Sequence, residues 1–343
     1  MTSANFHRVD VQAQQPLVDF LATTGGGLGA HKNLQKRRAV HDAMASPIID
    51  EPDLEVVERL IPLGKETQLR VRIYATKNLT EKSPAMLYIH GGGMSLGNLD
   101  NEDAIARRFA RHFNLRVISV EYRLAPEFCF PIPVEDCFAA LSWMVSNAEY
   151  LNIDPEVIVL YGGSAGGGLA LATMLYARDQ GGPKVSFVMA PYPMIDFKHD
   201  LPSTHEIMDL GIWDREIGLD AWRLYLGDRV NDTEVSPYAS PSHAKDLSHL
   251  PPVFIDVGEL DTLRDESLAF AARLNAAQNK VEFHLYPGVY HATELFAPEA
   301  KISEQIWANR FFAMSQFLTR KSIGDENERR DVLSSCKDDR RTR

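Results

Sequence analysis

Cysteine is scarce in this 343-residue chain, with Cys129, Cys137 and Cys336 making up the whole set. Three is an odd number and too few for a disulfide framework. Nor do they supply four ligands at short paired spacings, as a structural zinc site would need. A reduced, cytosolic setting is therefore the expectation. No run of about 18 apolar residues exists to cross a membrane. The first ten residues, Met1 to Asp10, hold no apolar signal core, so secretion is not expected. The ending Arg341-Thr342-Arg343 matches neither a prenylation box nor an organelle retention tag. Positive charge is in deficit, with 36 Lys and Arg against 47 Asp and Glu, a net charge of −11. Phosphate backbones are bound by clustered basic residues, so nucleic acid is not an expected partner.

What is present is an ordinary core-forming composition, 45% hydrophobic and 24% charged, in a chain long enough to bury a large interior. Strand-like runs read Leu69–Ala75, Ala85–His90, Arg116–Tyr122, Val157–Tyr161, Val185–Ala190, Val253–Val257 and Val281–Tyr286. Several are short, continuously apolar and β-branched, as strands covered on both faces are. Between them lie segments with apolar residues three and four apart: Glu102–Phe113, Glu135–Ala148, Leu263–Gln278 and Ile302–Leu318. This alternation predicts an α/β fold built on a doubly wound, mostly parallel sheet with helices on both faces. Val56–Leu63 and Leu69–Ala75, joined by Gly64-Lys65-Glu66-Thr67, predict an antiparallel start to that sheet.

The alternation assigns residues 56–193 and 249–321 to the core and breaks at 1–55 and 194–248. The tail, 322–343, is charge-dense and poor in apolar residues, so it is expected to be disordered. Gly25 to Gly29 reads as a flexible joint. No strand precedes it, which excludes a dinucleotide loop.

The sharpest chemical signal is Gly162-Gly163-Ser164-Ala165-Gly166, directly after a strand and ahead of the helical run Leu169–Ala177. Strand, tight turn and helix are what a nucleophile elbow requires, because a strained turn lifts the serine hydroxyl clear of the sheet. Read alone, the same residues fit an incidental glycine-rich turn or a phosphate cradle, though no lysine follows as a phosphate-binding loop needs. His90-Gly91-Gly92-Gly93 ends an earlier strand, and its glycines can turn N–H groups into a shared cavity. Two of those N–H groups, with that of Ala165, would make an oxyanion hole. His90, at the root of the loop, reads as structural.

A serine hydroxyl needs a base, and the base needs an acid to orient it. Asp261 follows the strand Val253–Val257, and His291 follows Val281–Tyr286. Both fall where loops leave the carboxyl edge of a parallel sheet. Spacing leaves Asp256, Glu259 and Asp265 open beside Asp261. His284 falls within its strand, His205 and His243 belong to the interruption at 194–248, and His249 stands at its end.

These residues, with Tyr122-Arg123-Leu124-Ala125-Pro126-Glu127 and Asp261-Thr262-Leu263-Arg264-Asp265-Glu266, occur in one order over about Ile73 to Leu318. In that order the chain resembles the hormone-sensitive lipase-like esterases of the α/β-hydrolase superfamily. The resemblance implies Ser164 as nucleophile, Asp261 as orienting acid and His291 as general base. It implies Gly92, Gly93 and Ala165 as oxyanion donors, a structural role for Tyr122–Glu127, and lids formed by 1–55 and 194–248. Gly211-Ile212-Trp213 and Trp222 then read as lid packing or pocket lining.

The chain departs from the family in having Gly163 where an acid often stands, Thr262 where Pro is common, Ala292-Thr293 after the histidine in place of Gly-Phe, and Met94 after the glycines. None of these removes a catalytic group. The function implied is hydrolysis of a small, short-acyl carboxylic ester, a metabolite acetate or a lactone included, without metal or organic cofactor. A dehydratase-type lyase and a non-catalytic ligand receptor on the same fold are the alternatives. Stable membrane insertion is not expected, and both a monomer and a homodimer are open.

Overall fold

Eight strands form one sheet in the computed structural model, which describes residues 3–45, 47–48, 51–64 and 67–338, with side chains as far as Lys321. The strands are β1 (Leu54–Pro62), β2 (Gln68–Thr76), β3 (Ser83–Ile89), β4 (Arg116–Val120), β5 (Ile153–Tyr161), β6 (Phe187–Met189), β7 (Val253–Leu260) and β8 (Val281–Tyr290). Their order across the sheet is β1-β2-β4-β3-β5-β6-β7-β8. β1 and β2 pair antiparallel, as do β2 and β4, and every later pair is parallel. The expected antiparallel opening is present, in a register from Leu54 opposite Thr76 to Pro62 opposite Gln68. Lys65 and Glu66 of its turn lie outside the described residues.

The helices are α1 (Val11–Thr24), α2 (Leu34–Asp42), α3 (Asp103–Phe113), α4 (Ile132–Ser146), α5 (Ala165–Asp179), α6 (Pro202–Glu206), α7 (Arg215–Leu226), α8 (Arg264–Ala276), α9 (Thr293–Phe296) and α10 (Lys301–Asp338). Side chains alternate across a strand, and β3 shows the result. Leu87 and Ile89 enter a core with Leu141 of α4, Leu169 of α5, Trp222 of α7 and Phe270 of α8. Met86 and Tyr88 enter a second core with Phe109 of α3 and with Trp307 and Met314 of α10. Central strands must therefore be apolar on both faces. Edge strand β1 has no such requirement, and Glu58, Arg59 and Leu60 are exposed on it.

The two interrupting segments pack on each other. Val9, Ala13 and Leu17 share a cluster with Ile207, Leu210 and Ile212, and also with Leu260 and Tyr290 at the ends of β7 and β8. The glycine run takes part in that packing rather than forming an open joint. A Cβ on Gly27 would collide with the Gly211 carbonyl, so two backbones meet there without side chains between them.

α10 continues as helix to Asp338, and 339–343 lie outside the described residues. Glu, Arg and Lys are good helix formers. Extending a docked helix avoids the costly nucleation step, so low apolar content does not end it. Among the described residues no helix is long and apolar enough to cross a membrane.

Candidate active site

β3, β5, β7 and β8 run parallel, so the residues that follow their last members gather along one edge of the sheet. These are His90–Gly93, Ser164, Asp261 and His291. After β5 the chain turns sharply at Ser164, whose φ of 56° and ψ of −122° lie where non-glycine residues seldom sit. Gly162 and Gly166 make the turn possible. A Cβ on Gly166 would strike the Ile89 carbonyl, and one on Gly162 would strike Gly166 itself. The elbow is thus pressed against the end of β3, and α5 starts at the next residue.

Ser164 Oγ stands 3.1 Å from His291 Nε2, and His291 Nδ1 stands 2.8 Å from Asp261 Oδ2. Asp261 is 1% exposed, and Ser164 and His291 are each 7% exposed. A carboxylate only accepts, so Nδ1 carries the proton and donates it to Asp261. The neutral ring then offers the Nε2 lone pair to the Ser164 hydroxyl. Asp261 Oδ1 also accepts the Leu263 N–H at 2.9 Å, which fixes the carboxylate plane.

The competing acids are committed elsewhere. Asp256 lies under the sheet edge in a two-pronged pair with Arg310, at 2.7 and 2.9 Å. Glu259 accepts from Arg8 and from the Gly288 N–H, and Asp265 accepts from the Ser203 N–H and from Arg264. The other histidines stand apart too. His284 pairs with Glu282, His205 with Asp200 and His243 with Asp196, while His249 is exposed. Among the described residues buried His199 has no hydrogen-bond partner on either ring nitrogen, its Nδ1 lying 4.0 Å from Glu266 Oε2, and burial pushes its titration down to about 4.

The glycine loop is organised by peptide planarity, because the C=O and N–H of a trans peptide point in opposite directions. The Gly91 carbonyl accepts from His90 Nδ1 at 2.8 Å and from the Tyr122 hydroxyl at 3.4 Å, so the Gly92 N–H points away from both. The Gly92 carbonyl accepts from the N–H groups of Ser95 (3.1 Å) and Leu96 (2.9 Å), which turns the Gly93 N–H the other way. The Ser164 carbonyl accepts from Gly168 and Met194, both at 3.0 Å, and this aims the Ala165 N–H. None of these three N–H groups has a partner among the described residues. His90 is buried and stacked on Tyr122 at 4.3 Å. Burial lowers its titration to about 4, so its ring stays neutral and holds the loop.

A family model described as alpha/beta hydrolase fold matches residues 86–295. Carboxylesterase NlhH of Mycobacterium tuberculosis is 38% identical over 248 residues, covering 72% of this chain and 77% of its own length. An arylesterase of Saccharolobus solfataricus is 36% identical over 242 residues, 69% of this chain and 76% of the relative. Among solved structures, a bacterial heroin esterase superposes with a TM-score of 0.86 at 35% identity, over 92% of this chain and 99% of the other. The chain is an α/β-hydrolase-fold esterase.

Parts of this esterase's site carry no motif. Beneath His291, the Tyr192 hydroxyl and Arg310 Nη1 both donate to Glu294 Oε1, at 2.6 and 2.7 Å. The Tyr192 ring meets the His291 ring edge-on at 4.8 Å. A lone arginine in an amphipathic run such as α10 reads as surface, and only the fold shows it buried between two carboxylates. Above His291, the Trp213 ring stacks at 5.8 Å, and its far edge lies so close to Gly93 that a Cβ there would collide with it.

The family departures find partners in the same layers. Thr262 Oγ1 donates to the Trp213 carbonyl at 3.2 Å, tying the acid loop to the interrupting segment. A Cβ on Gly163 would stand 3.2 Å from the Tyr192 ring. Ala292, at φ 56°, occupies a left-handed position that glycine adopts more cheaply.

Proposed function

We propose that this esterase hydrolyses short-acyl esters of small molecules through an acyl-enzyme on Ser164. The observation that carries the proposal is the unbroken hydrogen-bonded chain Ser164 Oγ, His291 Nε2, His291 Nδ1, Asp261 Oδ2 at 3.1 and 2.8 Å. In this reading His291 takes the Ser164 proton as Oγ attacks the ester carbonyl. The N–H groups of Gly92, Gly93 and Ala165 receive the negative charge that develops on the carbonyl oxygen. Protonated His291 then gives its proton to the leaving alkoxide, and the alcohol departs. Water, deprotonated by the same imidazole, attacks the acyl-enzyme and releases the acid. Asp261 holds the tautomer and stabilises the imidazolium.

The short-acyl preference rests on the roof of the site. Trp213 covers both Gly93 and His291, and Ala221 of α7 lies beside it over Gly93. In this reading that roof narrows the space for a long chain between the oxyanion loop and the base. Residues 1–55 and 194–248 serve as the lid in this reading, through their shared apolar cluster. Aryl esters are natural first substrates, because one relative is an arylesterase.

Nitrophenyl acetate and butyrate should be cleaved with much higher kcat/KM than the palmitate, with no rate jump above the micelle concentration. Trp213→Ala should shift the optimum to longer acyl chains and raise the ratio of octanoate to acetate about tenfold, the scale of a methylene or two in an apolar pocket. Best activity on the palmitate, or an unchanged chain-length profile in Trp213→Ala, would overturn the short-acyl reading. Product masses gaining one water per turnover distinguish hydrolysis from a lyase reaction.

A further inference from the structure

Three consecutive glycines are costly to hold in one conformation, because each loses more backbone freedom than any other residue would. Gly92 and Gly93 take φ of 105° and 60°, so this loop has to be held from outside. Backbone donors hold the Gly92 carbonyl, and His90 holds that of Gly91. The peptide before them, joining His90 to Gly91, is gripped at both ends. Its carbonyl accepts from the Tyr122 hydroxyl at 3.0 Å, and its N–H donates to Glu102 Oε1 at 2.8 Å.

We infer that Glu102 is a positioning residue for the oxyanion hole: its carboxyl anchors the Gly91 N–H and so holds in place the residue whose carbonyl, gripped by His90 and Tyr122, directs the Gly92 N–H. The inference rests on the reading of Gly92, Gly93 and Ala165 as oxyanion donors.

The carboxyl is itself immobilised. Its second oxygen accepts from the Tyr88 hydroxyl at 2.6 Å, and Tyr88 is a fully buried residue of β3. Its backbone neighbour Asp103 opens α3 and accepts from Arg72 Nη1 at 2.9 Å and from the Tyr74 hydroxyl at 2.8 Å. Glu102 therefore bridges a rigid strand and a loop that cannot hold itself. The bridge reaches close to the nucleophile. A Cβ on Gly91 would lie 3.2 Å from Glu102 Oε1 and 3.7 Å from Ser164 Cβ. Burial pushes the Glu102 carboxyl up from the usual carboxylate range. Its two oxygens are taken up by the Tyr88 hydroxyl and the Gly91 N–H, so the group acts through its geometry.

The test compares Glu102→Ala, Glu102→Gln and Glu102→Asp on nitrophenyl acetate, with a trifluoromethyl ketone as the tetrahedral-adduct inhibitor. Outright loss of one oxyanion donor costs about 10²–10³ in kcat, so misaiming one should cost about 10–100-fold in Glu102→Ala. KM should stay within about threefold, inhibitor affinity should fall by the same factor as kcat, and the pH profile should keep its shape. Gln preserves the acceptor for Gly91 and should restore most of kcat. Asp keeps the charge but draws the carboxyl back by one bond, about 1.5 Å, and should resemble Ala.

An active Asp variant beside an impaired Gln variant would mean a role for charge and overturn the inference. So would a fall in kcat with inhibitor affinity intact, or full activity in Glu102→Ala. If Glu102→Ala does not fold, the order of Gln over Asp still decides. Failure of the underlying serine reading is separately visible, as full activity in Ser164→Ala.

Discussion

Replacing Ser164 with alanine is expected to lower kcat by about 10⁴–10⁶, with the melting temperature nearly unchanged. The magnitude follows from the geometry. Among the described residues the Ser164 hydroxyl is the hydrogen-bond partner of His291 Nε2, at 3.1 Å. His291→Ala should be as damaging, since the hydroxyl then has no acceptor for its proton. The double variant should be hardly worse than either single one, because nucleophile and base act as one unit. Losses that multiply in the double variant would mean that the two residues serve separate steps. Rates of nitrophenyl acetate hydrolysis in the three variants decide it.

The second large effect is expected at the acid. Asp261→Asn keeps the shape of the side chain but can present an N–H₂ to His291. The ring is then driven toward the tautomer that offers Ser164 a donor instead of a lone pair, a change that costs about 10⁴ in kcat where such a triad operates. Glu259→Gln should cost far less. Its pair with Arg8 is about a third exposed on both sides, and exposed pairs contribute about 0–1 kcal/mol to stability. Asp265→Asn should likewise act on local packing around Ser203 and Arg264 rather than on turnover. Inactivity of Glu259→Gln with an active Asp261→Asn would move the acid by two positions. Steady-state kinetics on purified variants of matched melting temperature separate these outcomes.

Much of the architecture was legible because its causes are local. The continuous apolar run of Val157–Tyr161 is what a strand covered on both faces requires, and Gly162 and Gly166 mark a backbone approach that a Cβ would block. The order of Ser164, Asp261 and His291 after three parallel strands puts them on one edge of the sheet. What stayed hidden depends on partners far away in sequence. Spacing could not separate Asp261 from Asp256, since the pairing of Asp256 with Arg310, 54 residues later, is a property of the fold. Gly27 reads as a joint until Gly211 is found against it. Glu102 looks like a helix-start residue, which it also is, until its carboxyl is seen to reach Gly91.

The central claim is that Ser164 is the nucleophile, and covalent labelling tests it most directly. The esterase would be treated with a fluorophosphonate at one equivalent, digested and mapped by mass spectrometry, while residual hydrolysis of nitrophenyl acetate is followed in parallel. The account predicts one phosphonyl group per chain, carried on the peptide containing Ser164, with activity lost in proportion to labelling and no label taken up by Ser164→Ala. Label on a different serine, together with undiminished hydrolysis by Ser164→Ala, would contradict it.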